Sequence, residues 1–191
     1  MEVEKITEEI KKEIERVVAE AKEFVKIEEG GQYHLKGAGF NSYTVFDTYI
    51  EVANEKESLV ISFDRYKDCA VIEVWKNKEK IKEFEVSRDE DNEIEQELED
   101  MLHNVMDKLE LNAQEKAINY IKQKYKDIKH YYDTDDNYSG LAYEEDENCI
   151  NVYKVENGEK VECIESVQYC EYFEFNGASA KKVSYIYHFS F

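Results

Sequence analysis

The apolar positions follow two periods that alternate along the chain. Ile6, Ile10, Ile14, Val17, Val18, Ala21, Phe24 and Val25 recur at steps of three and four, with Glu and Lys between them. That spacing predicts one amphipathic helix. Gly30 and Gly31 are its expected end, and a polar stretch with Gly37 and Gly39 follows. The period then drops to two. Thr44, Phe46, Thr48, Ile50 and Val52 form a first run, Leu59, Ile61 and Phe63 a second, Ala70, Ile72 and Val74 a third, Phe84 and Val86 a fourth. Charged connections such as Asn77-Lys78-Glu79 separate them, so the runs read as an antiparallel meander.

Helical spacing returns in the centre. Ile94, Leu98, Met101, Leu102, Val105, Met106 and Leu109 make one stripe; Ala117, Ile118, Ile121, Tyr125 and Ile128 make a second, after an expected cap at Asn112. The final third is again of period two: Val161, Cys163, Val167, Tyr169, Phe173 and Phe175, then Val183, Tyr185, Tyr187, Phe189 and Phe191. Asn157-Gly158 and Asn176-Gly177 are the hairpin signals, because both residue types tolerate the positive φ of a type I′ turn. The expected fold is therefore α+β, with antiparallel sheets (two meanders) packed with three main helices. The expected division is 1–110 (helix, meander, acidic helix) and 111–191 (helix and C-terminal sheet). The order also admits a cryptic duplication, with 1–88 and 112–191 each supplying a helix and a sheet.

Composition narrows the class. At 191 residues and 42% hydrophobic, the chain suffices for a core and for one domain or two small halves. No apolar run approaches the ~20 residues of a membrane span, so no membrane partner is expected. Met1 to Ile10 carries Glu and Lys where an export signal is apolar, which points to the bacterial cytoplasm. The wealth of Lys, Glu, Asn, Ile and Tyr is that of an AT-rich bacterial or phage genome. Cys69, Cys149, Cys163 and Cys170 have no CxxC spacing and read as reduced strand residues.

Catalytic signatures are absent from the sequence: no GxSxG, no HExxH and no P-loop. Lys36-Gly37-Ala38-Gly39-Phe40 has two glycines, but Ser42 stands where a dinucleotide fingerprint needs the third. His34, His103, His130 and His188 lie far apart, so a nucleophile pair such as Cys69 or Cys163 with His188 needs the fold to assemble it. Asp133, Asp135, Asn137, Ser139 and Glu144 match positions 1, 3, 5, 7 and 12 of a calcium loop, but Tyr138 occupies the position of its sharp-turn glycine. A solvated loop is the expectation, with no cofactor and no enzyme activity; a divalent-metal enzyme is the alternative.

Charge carries the functional expectation. There are 45 acidic against 25 basic residues, a formal charge of −20. Direct nucleic-acid binding is not expected, since phosphate contacts need surplus Lys and Arg. The magnitude also exceeds the roughly 2–8 that keeps a small domain soluble. Asp89, Glu90, Asp91, Glu93, Glu95, Glu97, Glu99 and Asp100 form one group. Asp133, Asp135, Asp136, Glu144, Glu145, Asp146 and Glu147, with Tyr138 and Tyr143 among them, form a second. A third row, Glu156, Glu159, Glu162, Glu165, Glu171 and Glu174, is expected along a hairpin. Carboxylates on a rigid scaffold take the places of phosphates against Arg and Lys, and tyrosines supply flat contacts. The first two groups are thus the expected surface for a basic nucleic-acid-binding protein. Reversal of Glu93, Glu95, Glu97 and Glu99 is expected to leave the fold intact. In size, acidity and catalytic silence the chain resembles the anti-CRISPR inhibitors of phages and mobile elements, and also the immunity proteins of nuclease toxins. The resemblance implies a nuclease partner, such as a guide-RNA nuclease of the Cas9 kind.

Overall fold

A computed structural model describes residues 3–191. In chain order the elements are α1 (Val3–Ala19), β1 (Phe24–Lys36), β2 (Tyr43–Asn54), β3 (Ser58–Arg65), β4 (Cys69–Lys76), β5 (Glu79–Ser87), α2 (Arg88–Lys124), β6 (Lys129–His130), β7 (Gly140–Glu145), β8 (Cys149–Glu156), β9 (Glu159–Gln168), β10 (Cys170–Asn176) and β11 (Ala180–His188). The chain forms two compact units, Met1–Asp107 with Tyr172–Ile186, and Lys108–Glu171 with Tyr187–Phe191.

The first unit holds a seven-stranded sheet in the order β10-β11-β1-β2-β3-β4-β5. Register aligns its apolar residues in rows: Ile50, Ile61 and Val74 face one another, as do Thr48, Phe63, Ile72 and Phe84. Because side chains alternate across a strand, these rows share one face. That face is buried, together with Ile6, Ile10, Ile14 and Val17 of α1 and Ile94, Leu98 and Leu102 of α2. Each fully buried side chain of this size contributes roughly 1.5–3 kcal/mol of apolar transfer. Polar contacts fix α1: Asn54 Nδ2 donates to the Val17 carbonyl at 2.7 Å, and Arg16 holds the Glu57 carboxylate through two nitrogens.

The second unit holds a four-stranded sheet, β6-β7-β8-β9. It is antiparallel except where the two residues of β6 run parallel to β7. Ala142, Ile150, Val152, Val155 and Val167 of this sheet are buried, as are Leu109, Ala113, Ala117 and Ile121 of α2.

Several expectations fail. There are two α-helices among the described residues, not three, because the centre is one continuous helix. Buried Leu109, Ala113, Ala117 and Ile121 recur at steps of four straight past Asn112, which is exposed inside the helix and caps nothing. The first helix ends at Ala19, so Phe24 and Val25 open a strand, and Gly30 and Gly31 lie within it. A Cβ at Gly30 would stand 2.5 Å from the Tyr49 ring, and one at Gly31 2.5 Å from the Phe46 ring. The glycines make room for two aromatic rings of β2; they are not breakers. Finally, sheets of seven and four strands do not repeat one another, and β10 and β11 join the larger sheet where a second meander was expected. The Asn157-Gly158 turn has the expected positive φ at both residues (53° and 79°), whereas Asn176-Gly177 has it at neither, and Asn77-Lys78 (49° and 71°) adopts it instead.

Candidate functional site

The acidic group at the start of α2 divides by helical period. Glu90 belongs to a capping box: its carboxylate accepts from the Ser87 amide at 2.8 Å, and the Ser87 hydroxyl accepts from the Glu90 amide at 3.3 Å. Asp91 is buried against Arg65, and Glu95 is bonded by Arg65 and by the Thr48 hydroxyl. Glu97 pairs with Lys11 at 3.2 Å. Glu99 is half-buried beside a 200 Å³ depression lined also by Glu29 and Glu95, and burial raises the carboxyls of Glu29 and Glu99 above the ordinary range. Asp89, Glu93 and Asp100 stay exposed. Most of this group is therefore engaged within the first unit. Reversing Glu95 would set a lysine against Arg65, so the fourfold reversal is not neutral to the fold.

The second group falls at the two ends of the smaller sheet. At one end the chain from Tyr131 to Ser139 folds onto the β8–β9 turn. The Gly158 amide donates to the Tyr138 carbonyl at 2.9 Å, the Asn157 amide to the Ser139 hydroxyl at 3.1 Å, and the Tyr131 hydroxyl to the Gly158 carbonyl at 2.9 Å. Within the loop, the Asp135 carboxylate accepts from the Asn137 amide at 3.0 Å, and the Thr134 hydroxyl donates to the Tyr131 carbonyl at 2.7 Å. Asp133, Asp135 and Asp136 are exposed, with no ion pair among the described residues, and the turn adds exposed Glu156 and Glu159. Among the described residues Lys154 alone pairs with this group, at 2.6 Å from Glu156, an exposed pair of little energetic weight. The nearby lysine, Lys160, is committed to Glu144 and lies over the rings of Tyr131 (4.3 Å) and Tyr153 (4.7 Å). Its hydrogen bond holds the Glu144 carboxyl below the ordinary range.

Asp146 and Glu147 sit at the far end of β7, separated from this loop by roughly 17 Å of strand. The Tyr169 hydroxyl reaches both of their carbonyls, at 3.1 and 3.0 Å, and burial pushes its phenol up to about 12. Glu145 pairs with His130. Tyr143 is buried, and Tyr138 turns its hydroxyl to the Leu141 carbonyl at 2.7 Å, so neither is a free contact. The third row also splits: Glu156, Glu159, Glu162 and Glu165 lie on β8 and β9, but Glu171 and Glu174 lie on β10. Glu156 and Glu159 join the Asp133–Asp136 loop because Asn157-Gly158 lies between them; that turn was the one signal of the pairing.

The calcium-loop residues do not converge. Ser139 accepts from a main-chain amide, Glu144 is held by Lys160, and no three His, Cys, Asp or Glu among the described residues are arranged to hold a metal. His188 bonds Glu171 at 2.8 Å, and Cys163 points to the Glu165 carbonyl. No helix among the described residues is long and apolar enough to cross a membrane.

Fold and site together define an acidic α+β protein in which a loop of exposed carboxylates is tied by hydrogen bonds to a turn at one end of a small sheet. Compared with protein-family models, curated proteins and solved structures, the chain finds no match.

Proposed function

We propose that this chain is a non-enzymatic inhibitor that sets its carboxylate edge against the basic, nucleic-acid-binding groove of an enzyme in the bacterial cytoplasm. The first candidate partner is a guide-RNA nuclease of the Cas9 kind. The observation that carries the reading is the docking of the Asp133–Asp136 loop onto the Asn157-Gly158 turn, which gathers Asp133, Asp135, Asp136, Glu156 and Glu159. A loop whose backbone is held this way loses little backbone entropy on binding, and each of its carboxylates accepts from Arg or Lys as a phosphate oxygen does. Complementary fields also speed the encounter.

The test is a cleavage assay with Cas9 and guide RNA, titrated with the wild-type chain and with Asp133→Lys/Asp135→Lys/Asp136→Lys. Inhibition by the wild type, weakening with salt and lost in the variant, is the expected result. Equal inhibition by both proteins would remove this edge from the contact, and no inhibition by either would remove this partner.

A further inference from the structure

Strand β10 is an edge of the seven-stranded sheet. Its residues from Tyr172 to Asn176 are all exposed; Tyr172 is 45%, Phe173 53% and Phe175 57% accessible. An edge with unpaired main chain and three large aromatics is a template for another strand. The other long edges are guarded. β5 carries Lys80 and Lys82, and its pairing with β4 is broken by a bulge at Val74/Trp75. β9 carries Lys160, and its pairing with β8 shifts register twice. β10, Cys-Glu-Tyr-Phe-Glu-Phe-Asn, has neither lysine nor arginine.

The connection to β11 tells which main-chain groups are open. Gly177 donates to the Ala180 carbonyl at 2.8 Å, so Phe175 and Phe173, of the same parity, turn their amides toward β11. Tyr172 and Glu174 turn theirs outward, and the Tyr172 and Tyr185 rings, 5.0 Å apart, fit that alternation. We propose that a second copy of this chain pairs antiparallel to β10 about a two-fold axis at Phe173. This register matches the strand from Glu171 to Phe175 with itself; it stops short of Cys170, whose amide already donates to the Asn148 carbonyl at 3.3 Å. It sets Phe173 against its own copy, Tyr172 against Glu174 and Glu171 against Phe175. No two carboxylates face each other, whereas a slip that centres the axis on Glu174 opposes two of them. The Tyr172 hydroxyl already donates to the Glu174 carboxylate at 2.5 Å within the strand, so the cross-strand pair repeats a contact the side chains make. The central phenylalanines fall on a non-hydrogen-bonded pair, where facing side chains lie closest.

This inference does not rest on the inhibitor reading, and salt separates the two. A charge of −20 on each copy opposes self-association, so added salt strengthens the dimer while it weakens an acidic edge bound to a basic groove. Sedimentation equilibrium of the full chain is expected to show a mass rising from 22.6 kDa toward twice that value with concentration, more readily at high salt. Phe173→Lys puts two like charges on the axis and is expected to weaken the dimer by about tenfold or more, with unchanged circular dichroism. Amide exchange of wild-type Tyr172 and Glu174 should slow as concentration rises, a readout independent of the variant. A strict monomer at every concentration and salt overturns the proposal; so does a dimer that Phe173→Lys leaves as tight as before.

Discussion

Arg65 and Asp91 form a buried ion pair: Nε of Arg65 donates to the Asp91 carboxylate at 2.7 Å, with 5% and 0% of the two side chains exposed. The guanidinium is otherwise satisfied by the Phe46 carbonyl, the Thr48 hydroxyl and Glu95. The pair joins the end of β3 to the first turn of α2. Asp91→Ala removes one of the two carboxylates on Arg65 and leaves Glu95 to hold its charge. The loss of this buried charged hydrogen bond is expected to lower stability by about 1.5–3 kcal/mol in urea unfolding. Glu93→Lys, two residues on and exposed, should stay within about 0.5 kcal/mol of wild type.

The carboxyls of the first unit titrate in opposite senses. The Arg16 hydrogen bond holds Glu57 down to about 2, against an ordinary 4.5. Its contribution is complete above the ordinary value and is lost as pH falls from 4.5 toward 2. Burial raises Glu29 and Glu99, so their ionisation costs stability as pH rises through the raised values. Melting temperatures followed from strongly acid to neutral pH should show Glu57→Gln removing part of the acid-side loss. Glu29→Gln should raise the melting temperature at neutral pH and not below pH 4.5.

Gly31 faces the Phe46 ring, which itself lies 4.7 Å from the ring of Tyr33. Gly31→Ala drives a methyl into that stack and is expected to cost about 1–3 kcal/mol, measured by urea unfolding.

Gly158 combines a φ of 79° with a close approach: a Cβ there would stand 2.8 Å from the Asp136 Cα. Gly158→Ala should detach the acidic loop from the turn while the strands remain. Hydrogen exchange at Asn157 and Gly158 is expected to accelerate by about tenfold or more, with exchange at Val152 unchanged.

Burial pushes the Cys170 thiol up to about 11, while Cys163 is exposed. An alkylating reagent at neutral pH should label Cys163 first, and Cys170 only when the fold opens, as peptide mapping by mass spectrometry would reveal.

Much of the larger sheet was legible in its period of two: the runs around Ile50, Ile61, Ile72 and Phe84 became β2 to β5 in the expected order. What the period concealed was long-range. β1 hid because its glycines interrupt the apolar count, and the reason for them, two rings on β2, lies across the sheet. α2 was cut in two because Ala113, small and easily passed over, carries the stripe between Leu109 and Ala117. The acidic stretches were plain in the sequence; their inward partners were not. That Asp91 meets Arg65, or that Glu144 meets Lys160, depends on register and not on spacing.

The placement of β11 beside β1 couples the strands nearest the two ends of the chain, and Tyr33 donates to the Ser179 carbonyl at 2.9 Å. Contacts of such sequence separation raise the contact order and slow folding. During synthesis the flank of β1 must wait for roughly 150 further residues, on the order of 7–30 s at ordinary elongation rates. For that interval the flank of β1 that β11 later covers remains an unpaired strand edge, open to mispairing and to capture by chaperones.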